Sequence, residues 1–107
     1  MAACVGETVT LPCHTTKRMG VDWRYRTTLD SDGSYVVASG YVQDSFRQRF
    51  ALNRSGHDQQ DLVISRLRIS DEGLYICIED AGLGPRHEYR LVVHGLASNV
   101  VCLFVCV

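Results

Sequence analysis

Asp71-Glu72-Gly73-Leu74-Tyr75-Ile76-Cys77 is the stretch that decides how this chain folds. Asp-Glu-Gly is turn chemistry, and the apolar run 74–78 that follows has the composition of a strand. Upstream, Thr8-Val9-Thr10-Leu11-Pro12-Cys13 alternates with a two-residue period: Val5, Val9, Leu11 and Cys13 point one way, with a bend at Gly6. Val21, Trp23 and Tyr25 alternate with Asp22, Arg24 and Arg26, and Asp30-Ser31-Asp32-Gly33 turns the chain into a partner strand over 35–38. Phe50 and Leu52 open another strand, a polar turn covers 53–60, and Leu62, Ile64 and Leu67 stand against Val63, Ser65 and Arg66. The last strand covers 89–93, reached through Ala81-Gly82-Leu83-Gly84-Pro85. Turn signals recur about every 8 to 12 residues and no helical stripe of ten residues exists, which predicts an all-β sandwich or barrel.

Composition bounds the function. The chain has 107 residues, 46% apolar and 21% charged, with a formal net charge of −1. A second domain would need roughly 100 residues more. The chain is a folded globule with no bulk charge to hold a polyanion, so nucleic acid is not an expected partner. Five cysteines, Cys4, Cys13, Cys77, Cys102 and Cys106, contain no CxxC, and His14, His57, His87 and His94 do not supply the missing ligand spacing for a metal. A secreted or extracellular chain with a long-range disulfide fits better. Nothing converges for catalysis: Ser55, His57 and Asp58 crowd one polar turn, Asp30 and Asp32 flank a turn tip, and no glycine-rich phosphate loop precedes a helix. Neither an enzyme nor a cofactor is expected.

Cys13, Trp23 ten residues later and the Asp-x-Gly-x-Tyr-x-Cys run ending at Cys77 resemble an immunoglobulin-superfamily domain of the V-set, over roughly residues 4–94. The resemblance implies a two-sheet antiparallel sandwich in which a Cys13–Cys77 disulfide joins strands B and F and Trp23 packs on the sulfurs. It also implies that Tyr75 forms the tyrosine corner and that Arg49 pairs with Asp71 at the bottom of the sandwich. Closing so long a loop removes about 4 kcal/mol of denatured-state entropy. The 53 residues between Trp23 and Cys77 leave room for C′ and C″ strands. Two departures stand out. So few residues precede Gly6 that the outer A strand is truncated or absent. No Phe-Gly-x-Gly follows the third variable-like loop, only His87-Glu88-Tyr89-Arg90-Leu91, which points to a non-rearranging receptor or adhesion module.

With Trp23, Tyr75 and Cys77 inward, the period sends Arg24, Arg26, Ile76, Ile78 and Asp80 outward on the sheet of strands G, F, C and C′. An apolar centre with a charged rim is the composition of a protein contact surface. The alternative is that Tyr35 or Tyr89 covers the isoleucines locally. Loops at one end span 14–20, with Lys17 and Arg18, 40–44, and 79–86; in the last, Leu83 and Arg86 are candidate contacts, although glycine-flanked leucines also cap sandwich ends. Asn53-Arg54-Ser55 is a glycosylation sequon on the sheet opposite that face. The expected function is an extracellular recognition or adhesion module of a cell-surface immune-type receptor, binding a protein partner or itself as a homodimer. The rivals are a secreted recognition domain for carbohydrate, which reproducible binding on a glycan array would favour, and a structural spacer.

The ends are read as processing features. Met1-Ala2-Ala3-Cys4 lacks the basic and apolar regions of a signal peptide, and the eight apolar residues 100–107 fall short of the ~20 a membrane helix needs. Residues 1–95 are read as the domain and 96–107 as an apolar tail, with any membrane attachment left to segments outside this chain. A bond from Cys4 to Cys102 or Cys106 is geometrically possible; the alternative is that the tail cysteines are simply free.

Overall fold

The computed structural model describes residues 1–15, 20–27, 33–54 and 58–95. Two sheets face each other. Strands β1 (Ala2–Cys4), β9 (Arg86–His94), β8 (Gly73–Ile78), β3 (Asp22–Arg26), β4 (Ser34–Ala38) and β5 (Tyr41–Val42) form the larger sheet in that spatial order. Strands β2 (Val9–Leu11), β7 (Asp61–Ile64) and β6 (Phe50–Asn53) form the smaller one. All named pairings are antiparallel except β1 with β9, which run parallel.

The single bent strand expected over 5–13 is instead two strands in different sheets. Val5 N–H donates to His94 O at 2.9 Å on one side, and Gly6 N–H donates to Leu67 O at 2.8 Å on the other. Gly6, at φ 91°, takes the left-handed conformation that this crossing requires. Among the described residues the smaller sheet has no strand beyond β2, which is its edge. Residues 41–42, expected within a loop, pair with β4 as the short edge strand β5.

Alternation fills the space between the sheets. Leu11, Val21, Trp23, Leu62, Ile64, Leu67, Tyr75, Cys77 and Leu91 are fully or almost fully buried there. Cys13 and Cys77 are bonded across the sheets with their Cα atoms 6.4 Å apart. Trp23 is Cys77's register partner, and its indole N–H donates to Gln60 O at 3.1 Å, so its one polar atom is satisfied inside the core. Between Trp23 and Arg24 the register with β4 slips by a bulge: Trp23 faces Val37, but Arg24 faces Tyr35. The extra residue lets Val36 and Val37 both bury and moves Tyr35 to the outward side of the sheet beside Arg24.

Candidate protein-binding face

The lower end of the sandwich is a closed polar lock. Arg49 donates to both oxygens of Asp71, at 2.7 and 2.9 Å, and Arg68 N–H donates to Asp71 Oδ2 at 2.8 Å. Tyr75 O–H donates to Asp71 O at 2.6 Å, four residues back, as in a tyrosine corner. Burial pushes the Asp71 carboxyl upward, but the hydrogen bonds from Arg49 and Arg68 and the charges of both arginines outweigh it and hold the carboxyl below its ordinary value. Burial raises the Tyr75 phenol far above its usual range. Every group here is satisfied internally, so this end is structural chemistry.

The outer face of the larger sheet is different. Register across β9, β8 and β3 arranges its side chains in three rows: Arg86–Ile78–Asp22, Glu88–Ile76–Arg24 and Arg90–Leu74–Arg26. The isoleucines do point away from the core, but the expected exposed apolar centre is not there: Ile76 is 2% and Ile78 4% exposed. Each is bracketed by one basic and one acidic residue on the neighbouring strands, and in each row the long arginine stem, Arg86 beside Ile78 and Arg24 beside Ile76, suits the covering of apolar surface. Leu74, bracketed by two arginines, is only half-buried. Tyr35, the cover considered from the sequence, takes Arg24 over its ring at 5.1 Å. Tyr89 is not a cover: its ring turns inward beside Trp23 and its O–H donates to Pro12 O at 2.5 Å.

The upper end of this face is a preformed turn. The strand period stops at Ile78, so Asp80 belongs to the turn Glu79–Gly82 and not to the outward row assigned to it. Asp80 (φ 56°, ψ 49°) and Ala81 (φ 53°, ψ 36°) lie in the left-handed region and Gly82 follows at φ 92°. Two consecutive non-glycine residues there cost roughly 1–2 kcal/mol each, so the surroundings must hold them. Glu79 N–H donates to Pro85 O, Gly84 N–H to Glu79 O, and Ala81 N–H to Gly20 O at 2.7 Å, tying the turn to the neighbouring loop. Below it, His87 Nε2 meets Glu79 Oε2 at 2.7 Å. The turn lifts Leu83 into solvent, 85% exposed, and Arg86 is exposed at the start of β9.

The remaining assigned residues divide. Arg24 and Arg26 are half-buried on the face. Asn53 is the last residue of β6 in the smaller sheet, away from the face, while Ser55 of its sequon lies outside the described residues, as do Lys17, Arg18, Asp30, Asp32, Cys102 and Cys106. Cys4 is buried at the end of β1 and is not a free thiol. Glu88 and Arg90 were missed as face residues, and Tyr35 was considered only as a cover for the isoleucines. The first two follow from inward Tyr89 by period two, whereas Tyr35 depends on the bulge.

A family model for the immunoglobulin V-set domain matches residues 1–94, and the chain belongs to that family. No curated protein matches it. Among solved structures, it is similar to the first immunoglobulin domain of ZIG-8 in its homodimer (TM-score 0.73, 17% identity, covering 89% of this chain and 78% of that one). It is similar also to Dpr1 IG1 bound to DIP-eta IG1 (TM-score 0.70, 24% identity, 87% and 86%). A third is the voltage-gated sodium channel beta4 subunit, whose extracellular domains form parallel homodimers described as explaining its role in cell-cell adhesion (TM-score 0.63, 20% identity, 89% and 89%). At these identities the likeness is one of fold.

Proposed function

We propose that this domain is an extracellular recognition module of a cell-surface immune-type or adhesion receptor. It binds a protein partner, a second copy first, through the outer face of the larger sheet and the turn above it. One observation carries the reading: a strained turn held by hydrogen bonds at its base presents an 85%-exposed Leu83 at the edge of a face rimmed by Arg24, Arg26, Arg86 and the 48%-exposed Tyr35. Holding a leucine rigidly in water costs stability and lowers the entropy lost on binding. The relatives of similar fold that pair as immunoglobulin domains support a protein partner, and V-set domains are typically non-enzymatic. Residues 1–95 act as the binding domain, with 96–107 a tail outside it, and a glycan at Asn53 would project from the opposite sheet.

Because Ile76 and Ile78 are buried, aspartate there would report folding; exposed Leu83 is the proper probe. Sedimentation equilibrium of the full chain, run beside a nonreducing gel, should show a noncovalent dimer. Leu83→Asp should weaken it at least about tenfold with an unchanged melting temperature. A dimer indifferent to Leu83→Asp, or one linked only by disulfide, would refute this use of the turn.

A further inference from the structure

The open side of the sandwich, between the edges of its two sheets, carries a site separate from Leu83 and the outer face. We propose that the groove between β5 and β6 binds an extended acidic peptide segment of a partner, which adds to the free edge of β6 as a further strand of the smaller sheet. This does not depend on the outer face being an interface.

Ladder phase decides which backbone groups face this groove. Ser65 N–H donates to Arg49 O at 2.8 Å, so the hydrogen-bonded pairs of β6 and β7 are Arg49 with Ser65, Ala51 with Val63 and Asn53 with Asp61. The N–H and C=O of Phe50 and Leu52 therefore point away from β7. Gln43 N–H donates to Val36 O at 2.9 Å, and the same alternation turns Val42 N–H and C=O away from β4. Two strand edges thus face one open groove of about 420 Å³, lined by Tyr41, Val42, Phe50, Leu52, Arg47 and Arg54, a volume in the range of ligand sites. Phe46 packs edge-on against Phe50 with ring centroids 5.3 Å apart, and Phe50 is 5% exposed, so half-buried Leu52 is the open position on the edge.

The two edges are not equally spent. On β5, arginines do what a neighbouring strand would do: Arg47 Nε donates to Val42 O at 3.2 Å, and an Arg54 Nη donates to Gly40 O. On β6, among the described residues, no partner meets the N–H or C=O of Leu52 on the groove side. The same two bonds hold both guanidinium groups at the groove, each with further N–H groups to offer. Arg47 also pairs with Asp44 at 3.1 Å in an ion pair open to solvent, whereas Arg54 has no carboxylate partner among the described residues.

An unspent strand edge, an apolar floor and a held positive charge without a counter-charge together select the occupant. The main chain of an extended segment would pair with Leu52, its alternate apolar side chains would lie on Val42, Phe50 and Leu52, and a carboxylate would reach Arg54. A basic segment is repelled, which is also how charged side chains guard an edge against indiscriminate pairing. Tyr41, 74% exposed, adds an amphipathic rim.

Backbone amides of the full chain, followed by NMR, test this. The probe is a short capped peptide of alternating valine and glutamate, compared with a version carrying lysine for glutamate, each at up to about 1 mM. The acidic peptide should shift the Leu52 amide and slow its hydrogen exchange, and the lysine peptide should do neither. Arg54→Glu should weaken the acidic peptide about tenfold and admit the lysine peptide, a gain that misfolding cannot imitate. Leu83→Asp should change neither result, which separates this groove from the outer face. No shift at Leu52 with the acidic peptide, or equal binding of both peptides by wild type, overturns the proposal. So does a Leu52 amide that moves on dilution of the chain alone, because a second copy then occupies the edge.

Discussion

Along β8, Tyr75 and Cys77 face a closed interior while Ile76 and Ile78 face outward beneath a cover of charged stems. The two sides of one strand differ in what their polar groups are for. On the inner side and at the lower end, polar groups meet polar groups of the same chain: Asp71 takes Arg49, the Arg68 amide and the tyrosine corner. On the outer side, charges are set out in rows over buried isoleucines, and Leu83 is presented to solvent. Substitutions on the inner side should therefore cost stability and leave a folded remainder competent to bind, whereas those of the exposed residues on the outer side, Leu83 above all, should spare stability and change binding.

The largest expected break in that contrast is the disulfide. Replacing Cys13 and Cys77 together by alanine should lower stability by about 4 kcal/mol, measured by urea unfolding. A loss under about 1 kcal/mol would mean that the packing of Trp23, Tyr75 and Leu91 suffices alone. Next comes the lock at Asp71. Asp71→Asn should cost about 3 kcal/mol at neutral pH, because Arg49 is left in a largely buried site without its counter-charge. The folded carboxyl titrates below its ordinary 3.8, so its contribution is complete above that pH and is lost as the pH falls through the folded value. Urea unfolding at neutral pH and near pH 2 should show wild type losing more stability than Asp71→Asn between the two; equal losses would sink the account of the lock. The smallest effect belongs to the upper turn. Ala81→Gly removes a left-handed alanine and should raise stability by about 0.5 kcal/mol in a thermal melt, while weakening dimerisation by loosening Leu83. A fall in stability would mean that the turn is not strained.

Much of this was legible in the residues. Alternation around Trp23 and Cys77 marks the inner side, because a two-residue period allows only one assignment once two large apolar residues are placed. The outward direction of Ile76 and Ile78 followed from the same period. Their burial did not, because exposure depends on the side chains of β9 and of β3, the latter five strands earlier in sequence but adjacent in space. Asp80 failed for a related reason: the period ends where the chain leaves the ladder, and hydrogen bonds to the carbonyls of Pro85, Gly20 and Glu79 set that point.

By itself, the sequence carried the resemblance to the family, which implied the inter-sheet bond, and it set the parity of the strands around Trp23 and Cys77, where local alternation allows one assignment. Only the tertiary structure decided the rows of charge, the left-handed turn under Leu83 and the outward place of Tyr35. Each of these depends on contacts between segments distant in sequence, and a single bulged residue, Val36 of β4 opposite the Trp23–Arg24 step, is enough to change which side of the sheet a side chain takes.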